Sequence, residues 1–306
     1  MPALRPPLVE RFADPLVLVE LFAVANIAFL AVDIGIAHAI NAFEHPAEWV
    51  PVAFSLAATP VMLIAMAVGG VRPTLAGLEE PGPRGTSQRA ARWLGVAVGA
   101  GSVAVGIAGL LLHLESQFFR EATLKNLVYT APFVAPLAYT GVGLLLLLDR
   151  MVDARTVEWA RWVTLLALGG FVGNFVLCVC DHAQNGFFRP EEWTGVIAAA
   201  GATGALAAVL VVYDNRPLLR LGFAVMLVQV VVGVLGAFWH IRSNLGQPMG
   251  TLWQKFLYGA PAFAPLLFAD LAALAILALW ALARAVPAPT TADSRPLEVS
   301  PSATPA

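Results

Sequence analysis

In this chain of 306 residues 59% are hydrophobic and only 12% are charged, about half the charge of a soluble domain. A mean hydropathy of +0.77 and apolar runs at 16–40 and 256–283, each longer than the roughly 20 residues that cross a bilayer as helix, exclude an ordinary soluble fold. The net charge of −2, with no basic patch to track phosphates, excludes a nucleic-acid surface and leaves the lipid bilayer as the first partner.

Taken in order, residues 1–15 form a short polar lead with Arg5 and Arg11. Eight transmembrane helices are predicted, at 16–38, 49–68, 93–113, 128–148, 157–182, 193–213, 218–240 and 257–283. The Pro/Gly/Arg-rich stretch 69–92 reads as a mobile loop. Residues 286–306, rich in Pro, Ser, Thr and Ala, read as a disordered cytoplasmic tail. The first apolar run is long and has no cleavage site behind a short core, so it reads as a retained helix and not a signal peptide. Cys178 and Cys180 lie two positions apart on one helix and point in different directions, so no disulfide joins them.

The stretch from His38 to Val52, HAINAFEHPAEWVPV, returns as His182 to Val196, HAQNGFFRPEEWTGV, with eight of fifteen positions identical at an offset of 144. Arg72-Pro73 and Arg216-Pro217 keep that offset. HLES at His113 answers HIRS at His240, and YTAPFVAPL from Tyr129 answers YGAPAFAPL from Tyr258, at offsets of 127 and 129. The chain therefore reads as an internal duplication. The expected fold is an all-α integral membrane protein, built as two tandem four-helix up-down bundles (1–150 and 151–285). An even number of spans per unit relates them by a pseudo-twofold along the membrane normal. Thirteen of the Lys and Arg residues fall on the side holding both termini and five on the other. Cytoplasmic termini in a bacterial inner membrane follow, with the repeated His loops facing outward.

Four of the five histidines end odd-numbered spans on that outer side: His38, His113, His182 and His240. Helices across the diagonal of a bundle leave roughly the gap that two imidazoles and one iron fill. His38 with His113, and His182 with His240, are therefore candidate ligands for haem b or a transition metal. The alternative is that they cap helix C-termini. Asp33, a turn and a half inside the first span, and Asp270, read as mid-span in the eighth, are ionisable groups at membrane depth and hence candidates for a proton or substrate pathway. Asn174, Cys178, Asp181, His182 and Asn185 share one helical face. Cys178 with His182 suits a soft metal, although such a stripe is more often a bundle seam. Ser102 and Gln229 precede their histidines by eleven residues and add to the polar interior. Pro132 and Pro261 suit a first helical turn, whereas Pro136 and Pro265 suggest kinks whose freed carbonyls line an ion path or simply bend the helix. Trp49 and Trp193 read as interfacial anchors, Glu48 and Glu192 as partners of a helix dipole, and Gly95 with Gly99 as a close helix contact.

No nucleophile elbow, phosphate loop, dinucleotide fingerprint or His-Glu-x-x-His motif occurs. Eight spans in two halves with paired outward histidines resemble the plan of haem A synthases, an architectural resemblance that carries no activity with it. Three functions remain in view. One is a redox protein exchanging electrons with quinol or a periplasmic partner. The second is a transporter or channel with its site between the halves, near Asp270 and Gln229. The third is a non-catalytic subunit or scaffold of a membrane complex.

Overall fold

The computed structural model describes residues 14–69, 83–248 and 250–286; among these the secondary structure is helical and no strand occurs. Seven helices are long and apolar enough to cross a bilayer. They are α1 (Pro15–Ala39), α2 (Trp49–Gly69), α3 (Pro83–Gln117), α6 (Val157–Gln184), α7 (Glu192–Val211), α8 (Arg216–Leu245) and α10 (Leu266–Ala285). Short helices α4 (Leu124–Tyr129) and α9 (Leu252–Leu257) precede α5 (Leu137–Met151) and α10. At 15 residues, about 22 Å of helix, α5 falls short of that length. Leu56, Ile64, Val211, Leu227 and Phe238 stand exposed on the helix surfaces, a distribution suited to lipid and not to water. The chain is an all-helical, multi-pass membrane protein.

Side chains in the flanking turns fix where several helices start. The Asp14 carboxylate accepts from Leu16 N at 3.1 Å, Thr156 Oγ1 from Trp159 N at 3.2 Å, and Asn215 Oδ1 from Leu218 N at 3.0 Å, each satisfying an amide that the helix cannot. α1 packs on α2, α2 on α3, α3 on α5, and α5 back on α1; α6, α7, α8 and α10 close a second ring in the same order. The rings meet where α1 lies on α10 and α5 on α6. Ala23, Ile27, Met62 and Leu146 fill the first ring, while Trp159, Phe171, Leu206 and Leu279 belong to a larger core that also takes in Leu16 and Leu145 at the junction.

Small residues on α3 decide how close α5 comes. Gly95, Gly99, Ser102, Gly106, Gly109 and His113 recur every three or four positions and form one stripe. A Cβ on Gly143 would stand 2.5 Å from Gly99 O, and one on Gly109 would stand 2.7 Å from Pro136 Cβ. The expected Gly95/Gly99 contact is therefore present. α8 repeats the device, since a Cβ on Gly236 would stand 2.7 Å from Pro265 Cβ.

Several expected boundaries move. Instead of continuous spans at 128–148 and 257–283, the chain leaves helix after α4 and α9 and re-enters at Leu137 and Leu266. Pro136 and Pro265 are N-caps and not kinks. Ala131 and Ala135 each precede a proline, which biases them away from helical backbone, and the prolines themselves donate nothing. With α10 starting late, Asp270 falls in its first turns and not at its middle. α3 begins at Pro83, so residues 83–92 of the expected loop are helical. The rest of that loop, including Arg72-Pro73, lies outside the described residues, as do the polar lead before Asp14 and the tail beyond Val286. α3 and α8 also run on past His113 and His240 to Gln117 and Leu245.

Candidate functional site

The four histidines gather at one end of the two rings, and the backbone that follows α1 is built like the backbone that follows α6. Ala42 and Phe43 have φ of 56° and 55°; Gly186 and Phe187 have 75° and 51°. An aromatic residue in left-handed backbone is strained. The turn is held by Phe43 N donating to His38 O at 3.2 Å and Phe187 N donating to His182 O at 3.1 Å. It folds each phenylalanine back over the helix end, where Phe43 stacks on Trp49 with 3.9 Å between centroids and Phe187 on Trp193 with 4.2 Å. The same rings stand 6.0 Å from His38 and 5.9 Å from His182. Trp49 and Trp193, both exposed, thus back the phenylalanines that stand beside the histidines.

His113 and His240 are anchored by the proline segments. His113 Nδ1 lies 2.9 Å from Pro132 O, and His240 Nδ1 lies 2.8 Å from Pro261 O. With Nδ1 donating to a carbonyl, the Nε2 of each ring is left as a lone-pair donor, the tautomer a metal ligand needs. The carbonyls freed by the broken helices thus hold imidazoles. The segments are themselves pinned by different side chains in the two halves. Ser116 Oγ accepts from Ala131 N at 3.0 Å, whereas Asn244 Oδ1 accepts from Ala260 N at 2.7 Å and Asn244 Nδ2 donates to Ala260 O at 2.8 Å.

Across the first ring His38 and His113 stand 6.2 Å apart, centroid to centroid, at 74° between planes. Beside each pair is a glutamate: Glu48 Oε2 lies 3.5 Å from His38 Nδ1, and Glu192 Oε2 lies 3.8 Å from His182 Nδ1. Both oxygens are buried with no hydrogen-bond partner. These carboxylates are not simply partners of a helix dipole, and the signal for them was their place in the repeat, beside the histidines. Among the described residues no group of three or more His, Cys, Asp or Glu side chains is placed to hold a metal ion.

Behind the first pair the interior is polar. Asp33 lies near enough to Tyr139 to act on it electrostatically. Tyr139 Oη is 2.6 Å from Ser55 Oγ and donates to Pro51 O at 2.8 Å, and Ser102 Oγ donates to Tyr139 O at 2.7 Å. In the second ring Asn174 Nδ2 and Gln229 Oε1 are buried without partners. The stripe expected on α6 divides. Cys178 packs toward α7, where a Cβ on Gly195 would stand 2.9 Å from its sulfur, while Cys180, Asp181 and Gln184 line a small cleft against Leu127–Val134. Asp270 accepts from Asn26 Nδ2 at 3.1 Å and so ties α10 to α1.

One buried group has no precursor in the sequence reading. Arg150 forms a two-pronged ion pair with Glu20, through Nη1 to Oε2 at 2.9 Å and through Nη2 to Oε1. Neighbouring Asp149 accepts from Trp159 Nε1 at 3.0 Å. All three charged residues are at most 6% exposed, so Arg150, grouped by sequence with the cations on the side of the termini, is turned into the protein. Compared with known protein families, curated proteins and solved structures, the chain matches none.

Proposed function

We propose that the protein is a redox or electron-transfer membrane protein that holds haem iron or a transition-metal ion between His38 and His113 and between His182 and His240. The observation that carries this reading is the paired anchoring of His113 and His240 on the Pro132 and Pro261 carbonyls, with the His38 ring 6.2 Å from the first of them. A histidine serving only to cap a helix would offer its ring to the carbonyls of its own last turn, not to a segment that the chain breaks a helix to supply.

In this reading the chain is a tandem duplication of a four-span unit, with α5 as the eighth span. The equivalent turns, stacks and histidine anchors support it, as does the order in which the two rings close and meet. We place both termini in the cytoplasm of a bacterial inner membrane and the histidines at the opposite face, open to quinol or a periplasmic redox partner. Without buried Arg150, twelve of the remaining Lys and Arg residues still lie on the side of the termini and five on the other. A transport site between the halves is the weaker reading, because Asp270 is already bonded to Asn26 across that seam.

An absorbance spectrum and metal analysis of detergent-purified protein test the proposal. Bound haem or a bound first-row transition metal, reduced in stoichiometry by His113→Ala and by His240→Ala, is the expected result. Protein that carries neither, after expression with haem precursor and metals supplied, refutes it.

A further inference from the structure

We infer that Asp149 carries a proton in the folded protein and gives it in a hydrogen bond to Glu20, so that the buried cluster where the two rings meet is a one-proton binding site.

Charge balance is the first reason. The cluster holds two carboxyl groups and one guanidinium: Glu20, Asp149 and Arg150 are 4%, 2% and 6% exposed. Arg150 is taken up by Glu20, through Nη1 to Oε2 at 2.9 Å and through Nη2 to Oε1, and Nη1 also donates to Leu146 O at 2.8 Å. Glu20 and Arg150 thus neutralise one another, and an ionised Asp149 would add a negative charge that no cation answers. Out of water, an unanswered charge costs more than taking up a proton.

The hydrogen bonds give the second reason. Trp159 Nε1 donates to Asp149 Oδ1 at 3.0 Å, as it would to the carbonyl oxygen of a carboxylic acid. Asp149 Oδ2 is buried and no donor reaches it, although Glu20 lies within hydrogen-bonding reach of this side chain. Two ionised carboxylates at that range can only accept, and they repel. A proton on Oδ2 turns the contact into an O–H···O⁻ bond, among the stronger hydrogen bonds of a protein interior, and the orphaned oxygen gains its partner.

The surroundings leave the proton no rival. α5 packs against α1, α3 and α6. Among the described residues the charged groups that face Asp149 are Glu20 from α1 and Arg150 from α5 itself. α6 brings the Trp159 indole, and α3 comes closest to the cluster at Gly95, where a Cβ would stand 1.7 Å from Arg150 Nε. The matching positions of the second half are Thr164, Ala278 and Leu279, so that half has no such site. The proton joins α1 and α5 of the first ring at the point where Trp159 of the second ring is bonded. Its departure sets two carboxylates against each other across that junction, which makes the cluster a proton-sensitive latch between the rings.

Infrared spectra of the full-length chain in detergent, taken in H₂O and D₂O near neutral pH, test the assignment directly. A carbonyl stretch of a protonated carboxylic acid is expected in wild type and is expected to be lost in Asp149→Asn. Trp159→Phe, which deletes the indole bond to Oδ1, is expected to move the same band to higher frequency. Stability gives a second readout. The folded chain holds a proton that the unfolded chain has released above the ordinary carboxylate range, so wild type loses stability as pH rises. One bound proton is worth about tenfold in the unfolding equilibrium constant per pH unit. Asp149→Asn keeps the shape and can donate to Glu20 through Nδ2, so it lacks this dependence. Between about pH 5 and pH 8 wild type is expected to lose about tenfold per unit relative to the variant. An acid band that survives Asp149→Asn, or a difference between the two proteins that stays flat with pH, overturns the inference. Should Asp149→Asn fail to fold, an acid band left unmoved by Trp159→Phe overturns it equally.

Discussion

Replacing Arg150 by leucine isolates the energetics of the charged group buried between α1, α5 and α6. The guanidinium donates to both oxygens of Glu20 and, at 2.8 Å, to Leu146 O, while Asp149 Oδ2 is buried with no partner of its own. Removing the only cation leaves two carboxyl groups, 4% and 2% exposed, in an apolar surround. Breaking one side of a buried pair costs about 3–5 kcal/mol. The second half supplies a neutral version of the same place: Thr164 lies 144 positions after Glu20, and Ala278 and Leu279 lie 129 positions after Asp149 and Arg150. Opposite them a Cβ on Gly95 would stand 1.7 Å from Arg150 Nε, whereas one on Gly222 would stand 3.2 Å from Leu279. The triple change Glu20→Thr/Asp149→Ala/Arg150→Leu removes both signs of charge together with their desolvation. It is expected to recover most of what Arg150→Leu loses, to within about 1–2 kcal/mol of wild type. Denaturant titration in micelles, followed by tryptophan fluorescence, measures both variants. If Arg150→Leu alone stays within about 1 kcal/mol of wild type, or the triple variant is no better than the single, the account of this cluster as a mutually dependent ion group is wrong.

The same titration checks two smaller effects. Ala42→Gly relieves left-handed backbone at φ 56° and is expected to stabilise by about 1 kcal/mol, with Gly186→Ala losing a similar amount; reversed signs would refute the strain at this turn. Tyr139→Phe strands Ser55 Oγ in a residue that is 0% exposed and removes the phenol's bond to Pro51 O, an expected loss of about 1–3 kcal/mol. Tyr139→Phe/Ser55→Ala, which copies Phe268 and Ala199 of the second half, should regain part of it; a double variant weaker than the single contradicts the bonding described here.

Where a helix begins at a strong local cap, the sequence announced it. Thr156 and Asn215 stand at the starts of α6 and α8, and the long apolar runs behind them leave little choice. The proline segments were misjudged although their signal was present. Two prolines four apart, each preceded by alanine, disfavour helical backbone twice in a row. The weight given to hydropathy carried the predicted span straight through them. Running the span through also sets Asp270 toward mid-span and leaves the freed carbonyls without their actual partners, His113 and His240. The Glu20–Arg150 pair was beyond reach for another reason. Its partners are 130 positions apart, and no local pattern distinguishes a cation at a span end that faces water from one that turns inward. Glu48 and Glu192 lay between these cases. They were visible as repeated residues, but only the folded turn brings each one beside a histidine from the preceding helix.

The two halves differ in a way that bears on where chemistry belongs. Behind His38 and His113 stand Asp33, Ser55, Ser102 and Tyr139; at the corresponding positions of the second half are Leu177, Ala199, Gln229 and Phe268. The interiors thus differ in chemical character, while the histidine-bearing ends keep one geometry. That geometry is costly. Each of the two turns holds a phenylalanine in backbone that disfavours it, by about 1–2 kcal/mol, and beside each a glutamate oxygen is buried with only a histidine near it and no hydrogen bond. A helix cap needs neither feature, since a glycine and a serine would close the same turn more cheaply. On the proposed reading the common histidine-bearing end is the ligand set, and the interior behind it, with Asp33 and Tyr139 in the first half against Leu177 and Phe268 in the second, is what sets the two sites apart.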